Sequence, residues 1–208
     1  MADGLEWIAD GWSGARSPTC TDFSITCARG IDPEELVGRV ADRASLDMLA
    51  ALTADEASRM VDMARVYSVG RFGRSGQWSF LVESGCAEGW FLPVAVSTGG
   101  AEVLVFDSQQ DHPPPRFSYY KDGAALVTCS LIDGDEMGGA QPALLLEAMH
   151  QTGLDPEAME EEDIAPTERL RRMLRMIGEH FDLALPEGEI TQGALPGAVI
   201  RTSPPSHW

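Results

Sequence analysis

The dipeptide Asp122-Gly123 lies between two runs that each read as a strand, Arg116 to Lys121 before it and Ala124 to Leu131 after it. An Asp-Gly pair accepts the positive φ angles of a type I′ turn, whose twist matches that of a two-residue antiparallel connection. The two runs are therefore expected side by side as a hairpin, and the rest of the chain must be built around an antiparallel sheet.

Further strands can be read against that landmark. Phe23 to Ala28 alternates apolar and polar residues, which places Phe23, Ile25 and Cys27 on one face. Tyr67 to Phe72 and Gln77 to Glu83 flank a turn at Gly73 to Gly76, and Glu102 to Phe106 is rich in β-branched residues. Trp90 to Val96 fits either a short helix or an apolar extended segment. Helix starts are marked chemically. Asp32-Pro33-Glu34-Glu35 offers a cap and a proline at the first helical position, with Glu35 able to reach back to the cap. Thr53-Ala-Asp-Glu56 is a capping box. Pro142 to Gln151 reads as helical, and Asp155-Pro-Glu marks another start. From Pro166, the residues Leu170, Met173, Leu174, Ile177 and Phe181 recur at intervals of three and four. The expectation is an α+β fold: one domain, an antiparallel sheet of about five or six strands, and helices packed on one side. Residues 1–22, with Trp7 and Trp12 among small polar residues, read as an irregular segment; residues 23–186 form the globular domain. Residues 187–208, rich in Gly, Pro, Ser and Thr, read as a flexible tail.

Charge narrows the function classes. The 208 residues carry 33 acidic and 15 basic side chains, a formal net charge of −18. The excess is uneven: residues 131–190 hold 15 Asp and Glu against 4 basic residues, all Arg, whereas residues 71–130 hold 6 Asp and Glu against 4 basic residues. Such a chain is repelled by phosphate backbones and anionic lipid, so direct nucleic-acid or membrane binding is not expected. Phe91 to Phe106, the most apolar window, is too short and too interrupted by Pro93, Gly99 and Gly100 to span a bilayer. The start lacks a basic, then apolar, leader, so a cytoplasmic setting with reduced thiols is expected for Cys20, Cys27, Cys86 and Cys129.

Signatures of catalysis are missing by direct reading: no G-x-S-x-G elbow, no G-x-x-x-x-G-K loop, and no G-x-G-x-x-G between a strand and a helix. His112, His150, His180 and His207 stand apart from one another and from every cysteine, so no zinc site is expected. Asp133-Gly-Asp-Glu136 fails the calcium-loop pattern because Met137 occupies the third ligand position. No catalytic residue, metal or cofactor is assigned. Interface-like composition is found elsewhere: Arg116 beside Tyr119 and Tyr120, one of which should reach the sheet's outer face, and the acidic run Glu160, Glu161, Glu162 and Asp163. Trp78, Glu83, Arg116 and Tyr119 would line any cleft between sheet and helices.

The order of Asp32-Pro33-Glu34-Glu35, Trp78-Ser-Phe-Leu-Val-Glu83, Arg116-Phe-Ser-Tyr119, Asp122-Gly123 and the late amphipathic helix resembles a family of uncharacterised actinobacterial proteins over roughly residues 5–185. That resemblance implies no activity and assigns no residue a role. On charge and missing motifs, the expected function is that of a non-enzymatic acidic protein binding a basic protein partner, with toxin neutralisation by an immunity or antitoxin-like protein as its most concrete form. The alternatives are a small-molecule binder or enzyme with a dispersed site in a sheet-helix cleft, and a structural or regulatory subunit of a larger assembly.

Overall fold

The Asp122-Gly123 turn forms as expected, with φ of 49° and 78° and Lys121 opposite Ala124. The computed structural model describes residues 4–12, 23–62, 66–85, 88–108, 114–132, 137–154 and 164–202. The hairpin lies at one end of a sheet formed by β1 (Phe23–Arg29), β2 (Asp47–Leu52), β3 (Ser68–Ser75), β4 (Trp78–Gly85), β5 (Glu102–Ser108), β6 (Arg116–Lys121), β7 (Ala124–Ser130) and β8 (Leu195–Arg201). The sheet has eight strands in the order β2-β8-β3-β4-β1-β5-β6-β7, and every neighbouring pair is antiparallel. The α+β class with one antiparallel sheet holds.

Eight strands replace the five or six expected, and the two additions have a common cause. Asp47-Met-Leu-Ala-Ala-Leu52 has no β-branched residue, and Leu195-Pro-Gly-Ala-Val-Ile-Arg201 contains Pro and Gly, so neither looks like a strand alone. Pairing makes them strands. β8 inserts between β2 and β3, burying Leu195, Ala198, Val199 and Ile200. The expected tail from residue 187 is thus corrected through residue 202: a short helix α8 (Glu187–Thr191) precedes an interior strand. Residues 203–208 lie outside the described residues.

Helices cover both faces, not one. Against the first face pack α6 (Leu146–Gln151), α7 (Pro166–Phe181) and α1 (Ile8–Trp12), burying Met149, Met173, Leu174, Ile177, Leu5 and Ile8 with Trp78, Phe80, Phe106 and Phe117 of the strands. The opening segment is therefore not wholly irregular. Leu5, Ile8 and Ala9 are fully buried, and Asp10 and Glu6 pair with Arg171 and Arg175 of α7 at 2.5 and 2.8 Å. Against the second face pack α2 (Pro33–Val40) and α5 (Pro93–Val96), where Leu36, Val37, Val40 and Val96 meet Phe72, Leu81, Val103, Val105 and Ile200. Asp32 caps α2 through Glu35 N–H at 2.8 Å, but the Glu35 carboxylate turns to Arg39 and away from the cap. The Thr53/Glu56 box opens α3 (Ala54–Asp62) with reciprocal bonds of 3.3 and 2.8 Å. Trp90 to Val96 resolves into α4 (Glu88–Phe91) and α5. No helix among the described residues is long and apolar enough to cross a membrane.

Candidate functional site: a buried polar row

Residues opposite one another in an antiparallel pair project from the same face. Glu83 of β4 stands opposite Ser24 of β1, Ser24 opposite Asp107 of β5, Asp107 opposite Arg116 of β6, and Arg116 opposite Ser130 of β7. One row toward the sheet's middle, Thr26 is in register with Val105, and Val105 with Ser118. These polar residues lie on the second face, and Ser24, Thr26, Glu83, Asp107, Ser118 and Ser130 are all buried. A buried polar group is costly unless hydrogen-bonded, so such a row requires an account of its partners.

Glu83 is the best supplied. Its Oε1 accepts from Ser68 Oγ at 3.2 Å and from Glu88 N–H at 2.9 Å, and its Oε2 accepts from Gly89 N–H at 2.8 Å. The amides belong to the first turn of α4, which can come this close only because residue 89 is glycine; a Cβ there would overlap Thr26 Oγ1 and crowd Glu83. Burial disfavours the ionised carboxylate and outweighs these donors, with the charge of Glu88 adding to it, and pushes the Glu83 pKa up to about 8. Glu88 is buried too and is neutralised by a bidentate pair to Arg201 of β8, at 2.7 and 2.8 Å. Through Glu83 and Glu88, α4 fastens the sheet's centre to its late-arriving strand. Ser24 Oγ and Thr26 Oγ1, by contrast, are buried with no hydrogen-bond partner. Chemically, the row combines an acid that is largely protonated at neutral pH, two hydroxyls with spare capacity, a carboxylate and a guanidinium.

The structure divides the residues expected to line a cleft. Glu83 and Arg116 share this row, and Tyr120 lies half-buried on the same face, packed on the second core. Trp78 and Tyr119 belong to the opposite face. The Trp78 indole is buried and donates to Phe181 O at 3.3 Å, and the Tyr119 ring is 4.9 Å from that of Phe181. Both faces being covered, neither tyrosine projects from an open sheet. Glu160 to Asp163 lie outside the described residues; of the α7 arginines, Arg171 pairs with Asp10, Arg172 with Glu168 and Arg175 with Glu6. Cys27 and Cys129 are free thiols in the first core, and burial pushes the Cys129 thiol up to about 12 and that of Cys27 higher still. Among the described residues, no group of three or more His, Cys, Asp or Glu is placed to hold a metal ion.

The sequence reading missed Ser24, Thr26, Asp107, Glu88 and Arg201. Val103-Leu-Val-Phe106 of β5 was the available signal, because a strand apolar on both sides implies a sheet covered on both faces. Polar residues alternating in its neighbours are then buried rather than solvated.

A two-sided α+β protein with one antiparallel sheet and a polar row under its second layer is the class these observations define. The family of unknown function DUF6461 matches residues 2–181, and the chain belongs to that family. No curated protein and no solved structure is similar enough to match it.

Proposed function

We propose that this is a non-enzymatic acidic protein that captures a basic protein partner, in the manner of an immunity protein or antitoxin, in the cytoplasm. The observation that carries this reading is how the chain uses its few basic groups. Arg29 and Lys121 share Glu102, Arg39 pairs with Glu35, Arg171 with Asp10, Arg172 with Glu168, Arg175 with Glu6, and Arg201 with Glu88. With these seven of its fifteen basic groups paired to carboxylates of the same chain, the acidic side chains that make up the net charge of −18 remain in excess, which favours rapid capture of a positively charged protein. Affinity capture with the whole chain, at low and at high ionic strength, tests it. The expected result is a basic protein that is retained at low salt, released as salt rises, and inhibited in its own activity when bound. Retention indifferent to salt, or an acidic partner, overturns the reading.

A second reading is favoured by Glu83 beside Ser24 and Thr26: a site for a small polar ligand under α4. A carboxylic acid with a pKa near 8 is also matched to general-acid work near neutral pH. Small polar metabolites that shift the Ser24, Thr26 and Glu83 resonances of the native protein, and fail to do so in Glu83→Gln, would support it. A library without such a hit removes it.

A further inference from the structure

The sheet's two edges are finished differently. Beyond β7, residues 138–141 run along the strand: Thr128 and Gly138 exchange both backbone hydrogen bonds at 2.9 and 2.8 Å, and Ala140 and Gln141 donate to Ala125 O and Leu126 O. That edge is closed by the chain itself. At the opposite edge β2 pairs with β8 on its inner side, and among the described residues no backbone group pairs with its outer side.

An open edge is ordinarily protected by lysine, proline or a bulge. Leu46-Asp-Met-Leu-Ala-Ala-Leu52 has neither lysine nor proline, and its one irregularity falls after Leu49, so Asp47 to Leu49 remain regular strand. The large hydrophobic residues exposed among those described are Leu46, Met48, Tyr67 and Val94. The first two belong to this edge, at alternate positions with Met48 half exposed, and Tyr67 donates its N–H to Arg201 O on the neighbouring strand. Apolar side chains alternate here with the exposed carboxylate of Asp47. Over residues 42–61 the acids Asp42, Asp47, Asp55 and Glu56 outnumber Arg43 and Arg59.

We propose that the outer edge of β2 is a docking edge, and that its occupant is an extended basic segment of a protein partner, added as a further antiparallel strand. Backbone bonds to β2 supply affinity. Apolar residues of the incoming strand lie against Leu46 and Met48, and a lysine or arginine faces Asp47. Charge decides against a second copy of this chain, which would bring the same net −18 and the same Asp47 to the seam. The inference rests on the acidic-capture reading and adds the surface and the mode.

The test uses the isotopically labelled full chain and three synthetic peptides: an alternating lysine-valine strand, the same strand N-methylated at every second amide, and a glutamate-valine counterpart. The expected result is that the lysine-valine strand slows amide exchange in residues 46–49 at least about tenfold, and the other two do not. Met48→Lys, at a half-exposed position, should weaken that binding by about tenfold while leaving the melting temperature and circular dichroism unchanged. Equal binding of the methylated strand without protection of β2 overturns the docking edge but leaves acidic capture standing. Equal binding of the glutamate strand, or no binding of the lysine strand, overturns both. Protection of residues 46–49 by self-association overturns the choice of occupant.

Discussion

The two faces of the sheet are built from the same strands and solve burial in opposite ways. The first meets α1, α6 and α7 with aromatic and aliphatic side chains, and its stability follows from area removed from water and from close packing. The second meets α2, α4 and α5, and beside its apolar core runs a polar row in which Glu83 is held by Ser68 and two backbone amides while the Ser24 and Thr26 hydroxyls have no hydrogen-bond partner. Apolar packing tolerates small changes by relaxing, whereas a buried polar group is either satisfied or costly. The faces should therefore respond differently to substitutions of similar size.

On the first face the largest effect is expected at Phe117, fully buried with its ring 5.4 Å from that of Phe106 and 6.1 Å from that of Phe181. Phe117→Ala should lower unfolding free energy by about 3–5 kcal/mol in urea denaturation, the range for deleting a core aromatic ring. On the second face the counterpart is Arg201→Met, which strands the buried carboxylate of Glu88. A loss of about 3–5 kcal/mol is expected there too, from a charge without its partner and not from a cavity. The control is Arg175→Met, whose pair with Glu6 is largely exposed and should cost no more than about 1 kcal/mol. If Arg201→Met proved as mild as Arg175→Met, the second face would not depend on its polar pairs.

Helix caps and hairpins were legible in the sequence because they are local chemistry: Asp32, the Thr53/Glu56 box and Asp122-Gly123 each specify geometry within a few residues. The first face was legible for the same reason, since the spacing of Leu170, Met173, Leu174 and Ile177 survives without knowledge of the partner. What failed was non-local. β8 is a strand because β2 and β3 flank it, and Ser24 and Thr26 are buried because helices distant in sequence cover them. Glu83 and Arg116 were expected together in a cleft; they share a row, but with Ser24 and Asp107 between them and under a helix. Trp78 and Tyr119, expected beside them, project to the other side because Trp78 is five positions from Glu83 and Tyr119 three from Arg116, and an odd step changes face.

Glu83 sharpens the comparison through pH. With its folded-state pKa raised to about 8, the folded protein holds a proton that the unfolded chain releases near the ordinary value of 4.5. The folded state therefore binds more protons between those limits. The Glu83 contribution is fully present below pH 4.5, falls as pH rises through that window, and levels off above about 8. In Glu83→Gln that slope should vanish, so the difference in unfolding free energy between variant and parent should grow in the variant's favour by up to about 1.4 kcal/mol per pH unit across the window. Paired urea titrations from pH 5 to about 9 measure it. A constant difference would mean that the amides of Glu88 and Gly89, with Ser68, keep the carboxylate ionised despite its burial.

The smallest effect is expected at the two hydroxyls, and its sign carries the information. Ser24 Oγ and Thr26 Oγ1 are buried without a hydrogen-bond partner, so removing them relinquishes no bond and relieves a desolvation cost. Ser24→Ala and Thr26→Val, each nearly the same shape as the parent, should leave stability unchanged or raise it by about 1–2 kcal/mol. Hydroxyls held at a stability cost are what a ligand-binding face would retain, so a gain on substitution strengthens the small-molecule reading. A loss of 1 kcal/mol or more, by about the measure of a net hydrogen bond, would instead assign both groups to structure and leave the second face a packing layer like the first.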